Sequence, residues 1–103
     1  MRDQPVLEVV LFRTKEGITD TAFLHEAAVV QVWIEQQPGF ISRELLKTPE
    51  NQWLDTVRWT SLELAHQAAE KIMNDDHCKP FMAMIDETGM QMWHFEPQTL
   101  LEH

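Results

Sequence analysis

The sequence predicts an α+β protein of the ferredoxin-like class, in which strands and helices follow the order βαββαβ. Three observations support this class. Apolar runs typical of strands alternate with two amphipathic segments typical of helices, and a five-residue turn joins the two central strands as a hairpin. We therefore expect an antiparallel four-stranded sheet with both helices on one face, and its strands at residues 6–13, 40–47, 53–60 and 90–96.

The first strand and the first helix have clear boundaries. Pro5 precedes the apolar run at residues 6–13. Thr19 and Asp20 are good N-caps for a helix that ends near Gln37, where a Pro-Gly pair follows. Apolar side chains recur along this helix at helical spacing, and this stripe is predicted to face the sheet: Phe23, Ala27, Val30 and Ile34.

The second half of the chain has a shorter helix and a last strand. Ser61 is an N-cap for a helix that is predicted to reach about Met73. Pro80 starts or adjoins a short third helix, and the turn-forming residues 86–89 separate it from the last strand at 90–96. The second helix is predicted to turn one apolar face to the sheet: Leu62, Ala65, Ala69, Ile72 and Met73.

Length and composition limit the classes of function. The 103 residues predict one domain at residues 1–100, and Leu101-Glu102-His103 resembles the start of an expression tag. A formal charge of −9 argues against nucleic acid and anionic membranes as partners, since both attract cationic patches. A single cysteine excludes an intrachain disulfide. No apolar run approaches the roughly 20 residues that span a bilayer, so the cytoplasm is the expected compartment.

Both faces of the predicted sheet carry large apolar side chains. In either register of the strands, each face includes groups such as Val9 or Val10 and Met92 or Trp93. A sheet with one face in water shows polar residues along that face instead. An apolar face of this size favours a partner, and a second copy related by two-fold symmetry is the simplest one. We therefore expect a homodimer through the open sheet face.

Two short motifs resemble a known group of proteins. Gln37-Pro38-Gly39-Phe40 ends the first helix, and Trp59-Thr60-Ser61-Leu62-Glu63 leads from the third strand into the second helix. Together they resemble the dimeric α+β barrel superfamily, and within it the antibiotic-biosynthesis-monooxygenase-like (ABM-like) branch, over residues 6–96. The resemblance implies that two ferredoxin-like domains form a dimeric α+β barrel. It also implies one of several activities, since the superfamily includes cofactor-independent monooxygenases, haem-degrading enzymes and aromatic-degradation enzymes.

Departures from the family pattern reduce the number of activities that the resemblance implies for this sequence. Haem-degrading members carry an Asn in strand one, a Trp within helix two and a haem-ligating His shortly after it. Strand one has no Asn here, and Ala68 and Ala69 stand where the Trp would fall, so haem degradation is disfavoured. Quinol-oxidising members often carry a His at the position of Ala68, so the alanine weakens the expectation of a quinol-oxidising activity as well. Since histidines at i, i+4 spacing and a Gly-rich phosphate loop are absent from the sequence, we expect no metal and no cofactor.

Four residues form the candidate site. His77 and His94 are the candidate catalytic groups, because a histidine near carboxylates titrates close to neutrality. Each has an alternative: His77 lies in the first turn of a short helix capped by an aspartate, and His94 either lines a pocket or pairs with Glu8 on a neighbouring strand. Trp59 and Phe81 are the candidate substrate-binding walls of an apolar pocket between the sheet and its helices.

Two classes of function remain open at this point. The first is a cofactor-independent monooxygenase that acts on a small quinol-like or polycyclic aromatic substrate. Such an enzyme needs an apolar pocket, a base and hydrogen-bond donors for the developing oxyanion. The second is a non-catalytic dimeric module that binds a small apolar or aromatic ligand, which the missing family histidine favours.

Overall fold

The structure is a computed structural model that describes residues 4–99, so the predicted tag remnant at 101–103 lies outside the described residues. No helix within residues 4–99 combines the length and the apolar character needed to cross a membrane. The chain follows the predicted order, with these elements: β1 (Val6–Thr14), α1 (Asp20–Ile34), β2 (Phe40–Lys47), β3 (Trp53–Trp59), α2 (Leu62–Ile72), α3 (Lys79–Ala83) and β4 (Ile85–Phe95).

The strands form one antiparallel sheet in the order β2-β3-β1-β4. Because β1 lies between β3 and β4, Glu8 on β1 is paired with Val57 on one side and with His94 on the other. Both long helices pack on the same face of the sheet, since their buried side chains share two clusters with residues of one sheet face. The predicted ferredoxin-like fold is confirmed.

Two adjoining hydrophobic clusters fill the space between the sheet and the helices. Phe23 of α1 is at the centre of the first, and its ring centroid lies 5.7 Å from that of Phe12, 4.8 Å from that of Trp53 and 4.9 Å from that of Phe81. Burial of each such side chain stabilises the fold by roughly 1.5–3 kcal/mol. The stripe predicted for α1 is buried along its full length, and the second cluster contains Val6, Ile34, Val57, Trp59, Ala65 and Ala68.

The buried face of α2 differs in part from the predicted one. Ala65 and Ala68 are the buried residues of this helix, whereas Leu62 is exposed and Met73 is 64% exposed. Both exposed residues lie at the ends of α2, beyond the part of the helix that covers the sheet. Small side chains at the centre of the contact let this helix lie close to the strands, and alanine contributes no rotamer entropy cost when buried.

The last strand begins earlier than predicted. β4 starts at Ile85, so the predicted turn at residues 86–89 lies inside the strand and not before it. Arg13 pairs with Asp86 and Leu11 pairs with Gln91, so the segment between these partners on β4 bulges outward. The turn chemistry is nevertheless present, because Gly89 has a φ of +79° and the Asp86 carboxylate accepts a hydrogen bond from a nearby backbone N–H.

Gly39 joins the two motifs on which the family resemblance rests. Its φ is +85°, which favours glycine, and a Cβ atom built on it would lie 2.6 Å from Cδ1 of Leu64 and 2.9 Å from Oγ1 of Thr60. The Gly39 carbonyl also accepts a hydrogen bond of 2.8 Å from the backbone N–H of Thr60. The end of the first helix region therefore packs directly against the start of α2, and only glycine fits at the contact.

This contact predicts that Gly39→Ala is more destabilising than Gly17→Ala. Both glycines have a similar positive φ, but a Cβ at Gly17 meets nothing within 4 Å. The two variants therefore have similar backbone strain, and only Gly39→Ala adds a steric clash. This clash costs about 1–3 kcal/mol of the free energy of unfolding. Urea unfolding should show this extra loss of the free energy of unfolding for Gly39→Ala. Equal losses in the two variants would contradict the close approach.

Candidate functional site

A mostly apolar cavity of about 130 Å³ lies between the sheet and the helices. An engineered protein cavity of about 150 Å³ holds one benzene molecule, so this space matches a single aromatic ring. The polar groups of its lining belong to three residues of the sheet, Glu8, Arg43 and Asp55. Every layer of the fold supplies apolar walls, among them Val10, Val30, Ile34, Ile72, Phe81 and Met92.

The first polar feature of the cavity is the pair formed by Glu8 and His94. Nε2 of His94 lies 2.9 Å from Oε2 of Glu8 and is hydrogen-bonded to it, and the two side chains are only 19% and 12% exposed, respectively. Burial raises the pKa of Glu8 above its ordinary value, and the hydrogen bond and charge of His94 oppose this increase without cancelling it. Glu8 is thus a carboxyl group suited to exchanging a proton inside an apolar pocket.

Trp59 stands directly behind this pair. Its side chain is 1% exposed, and its indole N–H has no hydrogen-bond partner within residues 4–99. Trp59 lies two positions beyond Val57 on β3 and on the same face of the sheet, which places it diagonally opposite Glu8. The indole N–H lies close enough to Glu8 to favour the ionised carboxylate and so to lower the pKa of Glu8 slightly, although its geometry is not that of a hydrogen bond.

The second polar feature is a buried ion pair between Arg43 and Asp55. Arg43 donates two hydrogen bonds to the Asp55 carboxylate, from Nε at 2.9 Å and from Nη2 at 2.7 Å, and its side chain is 4% exposed. Nη1 donates a third bond of 3.2 Å to the carbonyl of Ala27 on α1. The guanidinium group also lies 5.6 Å from the centroid of the Phe81 ring, a cation–π distance.

The short helix α3 and the turn before it close one side of the cavity. Asp75 caps this turn, since its Oδ1 accepts hydrogen bonds from the backbone N–H groups of His77 at 2.9 Å and Cys78 at 3.2 Å. Phe81 then packs inward on Phe23. The single cysteine is fully buried, and burial raises the pKa of the Cys78 thiol to about 11. Cys78 is therefore a neutral packing group near neutral pH.

Comparison with known proteins gives structural neighbours and no sequence relatives. No protein-family model matches the chain, and no curated protein matches it. SnoaB, a cofactor-independent oxygenase from Streptomyces nogalater, is 18% identical, and the match covers 97% of this chain and 99% of that one with a TM-score of 0.77. The protein has the ABM-like fold.

Two further structures share this fold. A monooxygenase from the gene ActVA-Orf6 of Streptomyces coelicolor, in complex with the ligand nanaomycin D, is 17% identical over 97% of this chain and 93% of that one, with a TM-score of 0.70. The heme-degrading protein Rv3592 from Mycobacterium tuberculosis is 18% identical over 99% and 100% of the two chains, with a TM-score of 0.69. The resemblance that the two motifs carry is thus confirmed at the level of the fold.

The four candidate residues occupy three different places in this ABM-like fold. Phe81 lines the cavity, and His94 reaches it through Glu8. Trp59 belongs to the adjoining cluster and lies outside the lining. His77 is 86% exposed in its side chain and also lies outside the lining, in the turn that Asp75 caps. The catalytic role of His77 and the wall role of Trp59 stay predictions.

Sequence reasoning missed two of the three polar groups that the ABM-like fold brings to the cavity. Arg43 and Asp55 were not singled out, and Glu8 was considered only as a partner for His94. A signal was present, since Asp55 lies two positions from both Trp53 and Val57 along β3. It therefore shares the face of the strand on which Trp53, Val57 and Trp59 are buried. A charged residue in such a series predicts a buried polar site. Among residues 4–99, no group of three or more His, Cys, Asp or Glu side chains is arranged to hold a metal ion.

The raised pKa of Glu8 predicts how this residue affects stability. A carboxyl group with a raised pKa in the folded state favours folding below its ordinary value of 4.5, and this contribution is lost as the pH rises through the folded value. Relative to Glu8→Gln, the wild-type protein should therefore lose free energy of unfolding as the pH rises from below 4.5 through the raised pKa of Glu8, by about 1.4 kcal/mol per unit of pKa elevation.

Urea unfolding across this pH range measures the difference. The variant Glu16→Gln, which changes an exposed carboxylate in the loop after β1, corrects for the general effect of removing one negative charge. A wild-type protein that gains stability relative to Glu8→Gln as the pH rises would contradict the assignment.

Proposed function

We propose that the protein is a cofactor-independent monooxygenase that oxidises a small quinol-like or polycyclic aromatic substrate in the cavity between the sheet and the helices. The observation that carries this proposal is the Glu8–His94 pair at the wall of an otherwise apolar cavity. The proposal is supported by the fold, which is shared with two proteins described as an oxygenase and a monooxygenase. The role proposed for each residue is argued from the contacts of this chain and not from the two neighbours.

Glu8 is the proton acceptor in the proposed reaction. It removes a proton from an activated ring carbon or hydroxyl group, and the resulting electron-rich anion reacts with O₂ without a cofactor. For a ring methylene, addition of O₂ and return of the proton give a hydroperoxide. Loss of the second C–H proton and cleavage of the O–O bond then give a carbonyl and one molecule of water. The carbon loses four electrons, and these reduce both oxygen atoms of O₂.

His94 and Arg43 assist this chemistry from opposite sides of Glu8. His94 is a positioning residue that holds the Glu8 carboxyl group at 2.9 Å and exchanges protons with it. Arg43 places a buried positive charge at the cavity wall, where a phenolate or peroxide oxygen develops negative charge. Asp55 fixes the guanidinium by two hydrogen bonds, so its orientation does not change during the reaction.

The size of the cavity restricts how the substrate enters. One ring fits the enclosed space next to Phe81, and a polycycle needs additional room. Met90 and Met92 line the cavity and are also exposed, so they mark its outer rim. Methionine side chains adapt their shape at low cost. We infer that a polycyclic substrate places its reacting ring inside and extends past these two residues.

A non-catalytic dimeric ligand-binding module is the second candidate function. Ala68 favours it, since quinol-oxidising relatives often carry a histidine at this position and the alanine here is buried in the second cluster. In this case the cavity binds a small apolar or aromatic ligand, and the Glu8–His94 pair provides its hydrogen-bonding group. The two candidates agree on the site of binding and differ in turnover.

Oxygen consumption distinguishes the two candidates. A panel of hydroquinones, dihydroxynaphthalenes and anthrones is supplied to the purified protein, and O₂ uptake is followed with an electrode. We expect Glu8→Gln to lower kcat by about 10²–10⁴-fold, as for loss of a general base. Because these substrates also oxidise spontaneously, the rate of O₂ uptake without protein is subtracted from every rate.

The same assay decides between the two predicted histidines. His94→Gln should lose most of the activity, whereas His77→Ala should retain it, because His77 lies at the surface. Trp59→Phe removes the indole N–H and also leaves a cavity in the second cluster, so its activity is compared with its free energy of unfolding to separate the two effects. Loss of activity in His77→Ala with full activity in His94→Gln would overturn the assignment of the base. A wild-type rate no higher than the spontaneous rate would favour the binding module, and equal rates above it in wild-type and Glu8→Gln proteins would overturn the role of Glu8.

The homodimer belongs to the same proposal. The sheet face opposite the helices exposes Trp93 and Phe95, whose ring centroids lie 6.3 Å apart, together with Leu46. Exposed apolar patches of this kind mark interaction surfaces. A second copy that covers this face would bury on the order of 2,000 Å² in total, as obligate dimers do.

Sedimentation tests the dimer and its location. The wild-type chain of 12.1 kDa should sediment as a dimer at micromolar concentration, and the double variant Trp93→Glu/Phe95→Glu should sediment as a monomer. Val32→Glu is the matched control, because Val32 is an exposed apolar residue on the outer side of α1. A wild-type monomer, or a dimer that only Val32→Glu dissociates, would contradict an interface on the sheet.

A further inference from the structure

A third side chain extends the Glu8–His94 pair to the protein surface. His66 of α2 is exposed, and its ring centroid lies 5.1 Å from that of His94, with the two ring planes perpendicular at 87°. His94 is 19% exposed and Glu8 is 12% exposed, and Glu8 lines the cavity. Exposure therefore decreases stepwise from His66 through His94 to Glu8.

We propose that His66 is a positioning residue that carries protons between bulk water and the Glu8–His94 pair. The proposal rests on the proposed function, because only turnover at Glu8 requires rapid proton exchange with solvent. Apolar walls surround Glu8 on the cavity side, so the imidazole of His94 offers its carboxyl group a route to water. Nε2 of His94 is used by Glu8, whereas Nδ1 makes no hydrogen bond within residues 4–99 and is therefore available to exchange a proton.

The geometry suits transfer of a proton between the two imidazoles. At a centroid separation of 5.1 Å the two perpendicular rings are in edge-to-face contact, so a proton passes between them over a short distance, through water that contacts the exposed ring of His66. Imidazole is the side chain that gains and loses protons most readily near neutral pH. The charged groups around the route are Glu8 on β1, the Arg43–Asp55 ion pair beside it, and Glu63 and Glu70 one turn before and after His66 on α2. Because Arg43 neutralises Asp55, the groups that favour passage of a positive charge are the carboxylates of Glu8, Glu63 and Glu70.

Hydrogen exchange of the His94 ring N–H with water tests the relay without any substrate. Nitrogen-15 NMR measures this rate in the wild-type protein and in three variants. His66→Phe retains a ring against His94 but carries no proton, and we expect exchange to slow by roughly tenfold or more. His66→Ala should slow it as well, and added imidazole should restore it because the space left by the side chain admits a small base. His25→Phe makes the same change on the exposed surface of α1 and should leave the rate unchanged.

Two results would overturn the relay. One is an exchange rate in His66→Phe that equals or exceeds the wild-type rate, and the other is a slow rate in His66→Ala that added imidazole leaves unchanged. Because the measurement needs no turnover, failure of the proposed oxygenation would leave it unaffected, and the two proposals fail separately.

Discussion

The buried ion pair between Arg43 and Asp55 is the interaction on which the cavity depends. Its hydrogen bonds join β2 to β3 and to the backbone of α1, and the guanidinium faces the ring of Phe81 on α3. Loss of one partner from a buried pair costs about 3–5 kcal/mol, against a total stability of about 5–15 kcal/mol for a domain. The four elements therefore hold a fixed geometry around a space that packing alone would tend to close.

Glu8 adds a third buried ionisable group to the same sheet face, and this arrangement opposes stability. Burial and the nearby carboxylate of Asp55 both raise the pKa of Glu8, while His94 offsets only part of this effect. A well-packed apolar residue at Glu8 would avoid the desolvation cost. Groups held in such an environment are typical of sites where a proton is transferred. The position of Glu8 at the cavity wall is the one that its proposed role as proton acceptor requires.

Local sequence signals were sufficient to predict the fold, because each of them has a direct structural counterpart. The stripe on α1 is buried, and the family motifs around Gly39 and Thr60 contact each other, so their joint presence reflects one packing constraint. The site was harder to predict because it depends on strand register. A shift of one residue exchanges the two faces of a strand, and the bulge in β4 sets which of its residues faces Glu8.

A crystal structure of the wild-type protein with 1,4-dihydroxynaphthalene, prepared without oxygen so that the quinol persists, tests the central claim most directly. The account predicts that one ring lies between Phe81 and Met92, with a hydroxyl group within hydrogen-bond distance of the Glu8 carboxyl group. A quinol bound only on the open sheet face, or an empty cavity at saturating quinol, would contradict the account.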